Sequence, residues 1–184
     1  MIARLFRPSA TAESLAAVDL DDLQARGIDS IILDLDNTVV AWRRFDVPES
    51  VTRWIADARA RGMKLCIVSN TWNSKRLDEI AGGLGIPSLS RAAKPRRKGF
   101  RAAMELMGSE PRSAAAIGDQ TVTDILGGNR AGLYTILVNP IPSREFIGTK
   151  INRLLEKLIL WSLRRKGMMG TKPDQAQSER EERA

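Results

Sequence analysis

Two aspartates one residue apart, Asp34 and Asp36, close a short apolar run and are followed at once by Asn37 and Thr38. The preceding Ile31, Ile32 and Leu33 read as a buried strand, because a parallel strand covered on both faces needs no polar alternation. Residues two apart in a strand project to the same side. Both carboxylates can therefore face one site, at the strand end where open α/β sheets bind ligands. Two carboxylates gathered there are costly unless a cation or a reaction uses them. The plainer alternative is a polar exit from strand to loop.

Three further stretches carry groups suited to the same chemistry. Residues 65–69 form a second apolar run ending in Ser69, with Asn70 and Thr71 behind it. Lys94-Pro95 lies in a basic segment with Arg91, Arg96, Arg97, Lys98 and Arg101. Residues 114–117 form a third apolar run, followed by Gly118-Asp119-Gln120-Thr121-Val122-Thr123-Asp124. Each has a plainer reading as well: Ser69 as a polar strand end, Lys94 as one solvated lysine among several, Asp124 as a charge near a helix terminus.

The elements that must position these groups alternate between sheet and helix. A short helix over 20–26, capped by Asp19 and stopped by Gly27, precedes the first strand. Residues 41–47, with Trp42, Arg43, Arg44 and Phe45, leave the sheet as a loop. Val51, Trp54, Ile55 and Ala58 then share one face of a helix that Pro48 introduces and Gly62 ends. A strand over 64–69 and a helix over 73–82 follow. Gly82, Gly83 and Gly85 read as a helix cap and turn, since no phosphate-loop register accompanies them. A short edge strand is expected within 86–89, a helix over 98–107, strands over 114–117 and 134–138, and between them a helix broken at Gly127-Gly128. Residues 1–18 read as a loosely packed lead-in. The fold class is α/β, a Rossmann-like parallel sheet flanked by helices, spanning residues 1–148.

Composition narrows the chemistry further. The 184 residues suit one domain with a sizeable core. There is no histidine, which excludes Ser-His, Cys-His and His-metal mechanisms. The one cysteine, Cys66, falls inside an apolar run as a buried thiol, so the chain forms no internal disulfide. The net charge of +7 favours anionic partners: nucleic acid, an anionic membrane surface or a phosphorylated substrate. No apolar run approaches the ~20 residues of a spanning helix, and the first residues lack a signal-peptide pattern. A cytoplasmic protein, free or peripheral at the inner face of a membrane, is expected. Residues 149–168 combine Leu154, Leu155, Leu158, Ile159 and Trp161 with Lys150, Arg153, Lys157, Arg164, Arg165 and Lys166. That pattern is a basic amphipathic helix, which either lies on a membrane or packs on the domain. Residues 169–184 are expected to be disordered.

Asp-x-Asp-x-Thr after an apolar strand, with the later three stretches in this order, resembles the haloacid dehalogenase (HAD) superfamily of phosphohydrolases. Finer detail is similar to the YqeG family, capless subfamily IIIA phosphatases of that superfamily. That detail is Asp34-Leu35-Asp36-Asn37-Thr38 with Trp42, Ile67-Val68-Ser69-Asn70, Ala93-Lys94-Pro95, Gly118-Asp119-Gln120 through Asp124, and Leu126-Gly127-Gly128-Asn129-Arg130. About two dozen residues separate successive motifs, room for a helix and its loops but no cap. A mitochondrial relative of this family is a phosphatidylglycerophosphate phosphatase, so the resemblance implies that lipid as a substrate.

Residue chemistry agrees with that implication. Asp34 is the expected nucleophile, forming an aspartyl-phosphate, and Asp36 the expected acid and base. Mg²⁺ suits an all-oxygen site that keeps several waters. Its expected ligands are Asp34, Asp119 and the Asp36 main-chain carbonyl, with Asp124 joining through water. Lys94 adds positive charge, while Thr38, Ser69 and Asn70 are the expected partners of the phosphoryl group. Two alternatives stay open: a basic RNA- or ribosome-associated protein on this scaffold, and a phosphatase of phosphoproteins or nucleic-acid ends. Few aromatics accompany the basic residues, which disfavours binding to single strands.

Overall fold

The structure is a computed structural model and describes residues 2–142. The helix expected at 149–168 and the tail at 169–184 lie outside the described residues. The strands are Ala10–Ala12 (β1), Ser30–Leu33 (β2), Lys64–Val68 (β3), Ser88–Leu89 (β4), Ala114–Gly118 (β5) and Tyr134–Val138 (β6). They form one sheet in the order β1-β6-β5-β2-β3-β4, and every pairing is parallel. Helices Leu20–Ala25 (α1), Glu49–Ala60 (α2), Ser74–Leu84 (α3), Arg97–Met107 (α4) and Leu126–Ala131 (α5) cover it.

Strand alternation sorts the core into two layers. Ile31 and Leu33 of β2, Leu65 and Ile67 of β3, and Ala115 and Ile117 of β5 join one cluster with Val51, Trp54 and Ile55 of α2 and Leu77 and Ile80 of α3. Their in-between neighbours Ile32, Cys66, Val68, Ala114 and Ala116 join the other, with Phe100, Ala103, Met104 and Met107 of α4. Both faces of the sheet are thus apolar, which is why β2 shows no alternation in its sequence. Burial of each large side chain contributes roughly 1.5–3 kcal/mol relative to exposure.

Three local expectations are corrected. The lead-in is not loose: β1 pairs with β6, Leu15 is buried, and the Trp54 indole N–H donates to the Val18 carbonyl at 2.7 Å. Gly82 and Gly83 lie inside α3, and Gly85, at φ 64°, supplies the left-handed cap. The helix near Gly127-Gly128 is not broken there. A π-helical turn over Thr121–Ile125 passes directly into α5, which runs through both glycines. A Cβ on Gly127 would sit 2.5 Å from the Phe100 ring, and one on Gly128 would sit 2.7 Å from a Thr135 methyl. The glycines therefore allow α5 to approach α4 and the sheet, a packing use rather than a breaking one. Between β2 and β3 there is only α2 with its loops, and between β3 and β5 only α3, β4 and α4 with theirs. No cap domain is present among the described residues.

Two alanine substitutions should move stability in opposite directions. Gly127→Ala forces overpacking against Phe100 and should cost about 1–3 kcal/mol. Gly82→Ala, where an added Cβ meets nothing within 4 Å, should stabilise α3 by up to about 1 kcal/mol. Thermal unfolding of the two variants beside the parent checks both signs.

Candidate active site

β2 lies where the strand order turns, with β3 on one side and β5 on the other. The crevice at the carboxyl ends of these three strands is the usual ligand site of such a sheet. Asp34 follows β2, Ser69 follows β3 and Asp119 follows β5. The turn after Asp34 is held closely. Asn37 takes a left-handed φ of 66°, a conformation that Asn tolerates better than most residues. Its amide donates to the Val40 carbonyl at 2.6 Å, and its Oδ1 accepts from the Trp42 amide at 3.1 Å. Leu35, Val39 and Val40 anchor this turn in the core.

Lys94 is the centre of the site. Its side chain is 3% exposed, and Nζ donates to Asp34 Oδ1 at 2.5 Å and to Asp124 Oδ1 at 2.6 Å. Asn70 fixes the lysine's main chain from both sides, its Oδ1 accepting from the Lys94 amide at 2.7 Å and its Nδ2 donating to the Lys94 carbonyl at 3.0 Å. The second oxygen of Asp124 accepts from the Gln120 amide at 3.2 Å. A Cβ on Gly118 would lie 2.3 Å from that same oxygen, so only glycine leaves room for Asp124 here.

Charge in this site is unbalanced. Asp34, Asp119 and Asp124 each offer a carboxylate oxygen, all within 4.8 Å of one another, against the single ammonium of Lys94. Burial pushes Asp34 up to about 8, with Lys94 opposing and the neighbouring Asp124 and Asp119 adding to the rise. Burial, then Asp124, pushes Asp119 up to about 7. Burial works against the Lys94 ammonium, but Asp124 and Asp34 outweigh it and keep the lysine charged. Asp34 Oδ2, both oxygens of Asp119 and the Thr38 hydroxyl are buried without a hydrogen-bond partner. The two orphaned oxygens of Asp119, beside the Asp34 carboxylate in a net negative site, fit a divalent cation held by Asp34 and Asp119. Both oxygens of Asp124 are already engaged, which suits a less direct role.

Asp36 points elsewhere. Its side chain is outside the acidic cluster and accepts from Arg76 Nη1 at 2.8 Å. Arg76 is 7% exposed; its Nε and Nη2 donate to the Arg44 carbonyl at 2.9 and 2.7 Å. Burial raises the Asp36 carboxyl, and Arg76 opposes that rise. The sequence offered Arg76 only as one basic residue of a helix. The signal available was its place as the third residue of α3, the helix that follows the Ser69 loop and is otherwise lined inward by apolar residues.

Thus Asp34, Lys94, Asp119 and Asp124 are brought together, with Thr38 and Ser69 at the same strand ends. Ser69 Oγ accepts from the Thr71 amide at 3.1 Å, and Asn70 is placed on the Lys94 backbone. The expected Asp36 contribution to a metal would have to come from its main chain, not its carboxylate.

Residues 6–132 match the family model of haloacid dehalogenase-like hydrolases. The chain belongs to this family. Within this hydrolase family it is similar to the probable phosphatase YqeG of Bacillus subtilis (strain 168), at 38% identity over 91% of this chain and 96% of that protein. It is 28% identical to a chloroplastic phosphatidylglycerophosphate phosphatase 1 of Chlamydomonas reinhardtii, over 82% of this chain and 59% of that one. Its fold is that of the cobalt-bound deoxy-D-mannose-octulosonate 8-phosphate phosphatase of Haemophilus influenzae, at TM-score 0.51 and 16% identity, covering 61% of this chain and 69% of that one. The chain is a YqeG-like phosphatase of the haloacid dehalogenase family. No described helix is long and apolar enough to cross a membrane.

The raised carboxyls give a signed pH dependence for this hydrolase without metal. The unfolded chain releases these protons near the ordinary value of 3.8, the folded one near 8 for Asp34 and near 7 for Asp119. The folded state therefore binds more protons across that window, and its stability falls as pH rises through it. Chelator-treated protein should melt progressively lower from pH 5 to pH 9. Added divalent cation should reverse the loss at pH 8–9 and do little at pH 5, where protons occupy the same oxygens. Melting curves with and without chelator test this.

Proposed function

We propose that the chain hydrolyses a phosphomonoester through an aspartyl-phosphate on Asp34, with Mg²⁺, on a large or membrane-borne substrate such as phosphatidylglycerophosphate. The observation that carries the reading is Asp34 itself: one oxygen is pinned by Lys94, while the other is buried without a partner in the crevice at the strand ends. A carboxylate so held presents one oxygen in a fixed direction for in-line attack.

Asp34 Oδ2 attacks phosphorus as the bond to the leaving oxygen breaks. Asp36, protonated, delivers its proton to that alkoxide. The Thr38 and Ser69 hydroxyls donate to the phosphoryl oxygens, and the Lys94 ammonium offsets their charge. Asp36, now a carboxylate, takes a proton from water, the water oxygen bonds to phosphorus, and the bond from phosphorus to Asp34 breaks to release inorganic phosphate. Mg²⁺, held by Asp34 and Asp119 with Asp124 behind, would lower the repulsion between anionic nucleophile and anionic substrate. Arg76 holds Asp36 at the loop edge, where it must turn toward the leaving group.

Support for a lipid substrate is the Chlamydomonas relative's phosphatidylglycerophosphate activity, the absence of a cap among the described residues, and the net charge of +7. The basic segment at 149–168 is consistent with peripheral attachment to the inner face of a membrane. Phosphopeptides and end-phosphorylated oligonucleotides remain the competing substrates.

Purified protein should release phosphate from vesicle-borne phosphatidylglycerophosphate only with Mg²⁺ or a similar ion, and Asp34→Asn should remove turnover. Undiminished activity of Asp34→Asn would exclude the covalent route. Asp36→Asn should cost about a hundredfold or more on a lipid alkoxide and much less on an activated aryl phosphate, whose leaving group needs little protonation. Arg76→Gln removes the main group opposing burial at Asp36, so the Asp36 limb of the pH–rate profile should move to higher pH. An unmoved limb would separate Arg76 from the acid.

A further inference from the structure

We infer that the rim of the active site is a docking surface for an anionic phospholipid bilayer, with Trp72 and Arg91 as its anchor. Trp72 is 79% exposed, the most open large apolar side chain among the described residues. The Arg91 guanidinium lies 4.8 Å from its ring centre. Scattered exposed apolar residues are ordinary, but this one is not scattered. The loop that carries Trp72 begins at Ser69, and the loop that carries Arg91 runs on to Lys94. Backbone bonds lay the two loops side by side, Arg91 N to Thr71 O at 3.2 Å and Ala92 N to Ser69 O at 3.0 Å.

The same pattern recurs across the crevice. In the loop after Asp36, the Arg43 guanidinium lies 5.9 Å from the Trp42 ring, and Phe45, 49% exposed, lies 5.9 Å from that of Arg76. Two aromatic–arginine pairs with exposed guanidinium groups, Trp72 with Arg91 and Trp42 with Arg43, therefore border the strand ends that hold Asp34 and Lys94, while the Arg76 beside Phe45 is buried. The fourth among the described residues, Arg26 with Tyr134, sits where β2 and β6 begin, at the opposite end of the sheet. Arg43, Arg91 and Arg96 are exposed beside the first three. Amphipathic rings at headgroup depth, flanked by guanidinium groups, are what an anionic lipid interface selects. A nucleic-acid strand fits less well, since of these rings only Trp72 is more than half exposed, and a single strand needs successive open rings to stack on.

This surface rests on the lipid reading of the substrate, because it lays the open crevice against the headgroup layer. Neither Trp72 nor Arg91 touches the reacting groups. The test uses the full chain and vesicles of phosphatidylglycerol with phosphatidylcholine, with and without vesicle-borne phosphatidylglycerophosphate. Trp72→Ala with Arg91→Gln should lower vesicle co-sedimentation and turnover of the vesicle-borne substrate on the order of tenfold. Turnover of a soluble aryl phosphate should be unchanged, which also shows that the variant is folded. Salt should weaken parent binding, and phosphatidylcholine alone should not bind. A double variant that sediments with anionic vesicles as the parent does would overturn the surface. So would loss of oligonucleotide binding in a variant whose vesicle binding is intact. Vesicle binding that the double substitution abolishes, in a parent that hydrolyses no lipid phosphomonoester, would support the surface and remove the substrate reading alone.

Discussion

A buried ammonium between two buried carboxylates sets the terms for the rest of the molecule. Lys94 reaches Asp34 and Asp124 at once, and removing any of the three leaves charge stranded in a low-dielectric site, which costs several kcal/mol. Holding the lysine there takes more than its side chain. Asn70 grips both polar groups of its main chain, so the loop after β3 positions a residue that arrives twenty-four places later. With Asp119 added, negative charge still exceeds positive. That surplus, beside orphaned oxygens, is what turns a structural ion pair into a place for a cation.

The sheet supplies the geometry that the charges need. Because β2 is flanked by β3 and β5, three loops converge at one end from adjacent strands. β5 reads Ala-Ala-Ala-Ile-Gly, and its small residues let the chain after it fold back closely. Gly118 is the extreme case, since any Cβ there would occupy the place of the Asp124 carboxylate. The π-helical turn over Thr121–Ile125 then carries Asp124 inward to Lys94.

Legibility in the sequence followed the range of the interactions. β2, β3 and β5 were readable because each is a continuous apolar run ending in a functional group. Asp34 and Asp119 were readable because they follow such runs, and Lys94 from its place between them in a recognisable order, with Pro95 directly after it. β1 was not, since Ala10, Thr11 and Ala12 carry no strong strand preference and become a strand only by pairing with β6. Gly127 and Gly128 suggested a break because glycine weakens helices; the packing of Phe100 and Thr135 against them is a long-range fact. Arg76 and the Asn70 clamp were hidden for the same reason. An arginine in a helix usually faces water, and only the fold reveals a buried one 2.8 Å from Asp36.

Arg76 also links the chemistry to the rim. One guanidinium nitrogen holds Asp36, while the others hold the Arg44 carbonyl, and the Phe45 ring lies against the group's face. The loop bearing Trp42, Arg43 and Phe45 thus shares a single rigid, planar fork with Asp36, the proposed acid and base. Planarity matters, because a guanidinium cannot reorient toward one partner without disturbing its bonds to the other. Displacement of that loop therefore changes the field and the hydrogen bond at Asp36 together. Among the described residues no cap lies over the crevice, so in the proposed mechanism this loop, tied to Asp36 through Arg76, is where a contact outside the crevice reaches the acid and base.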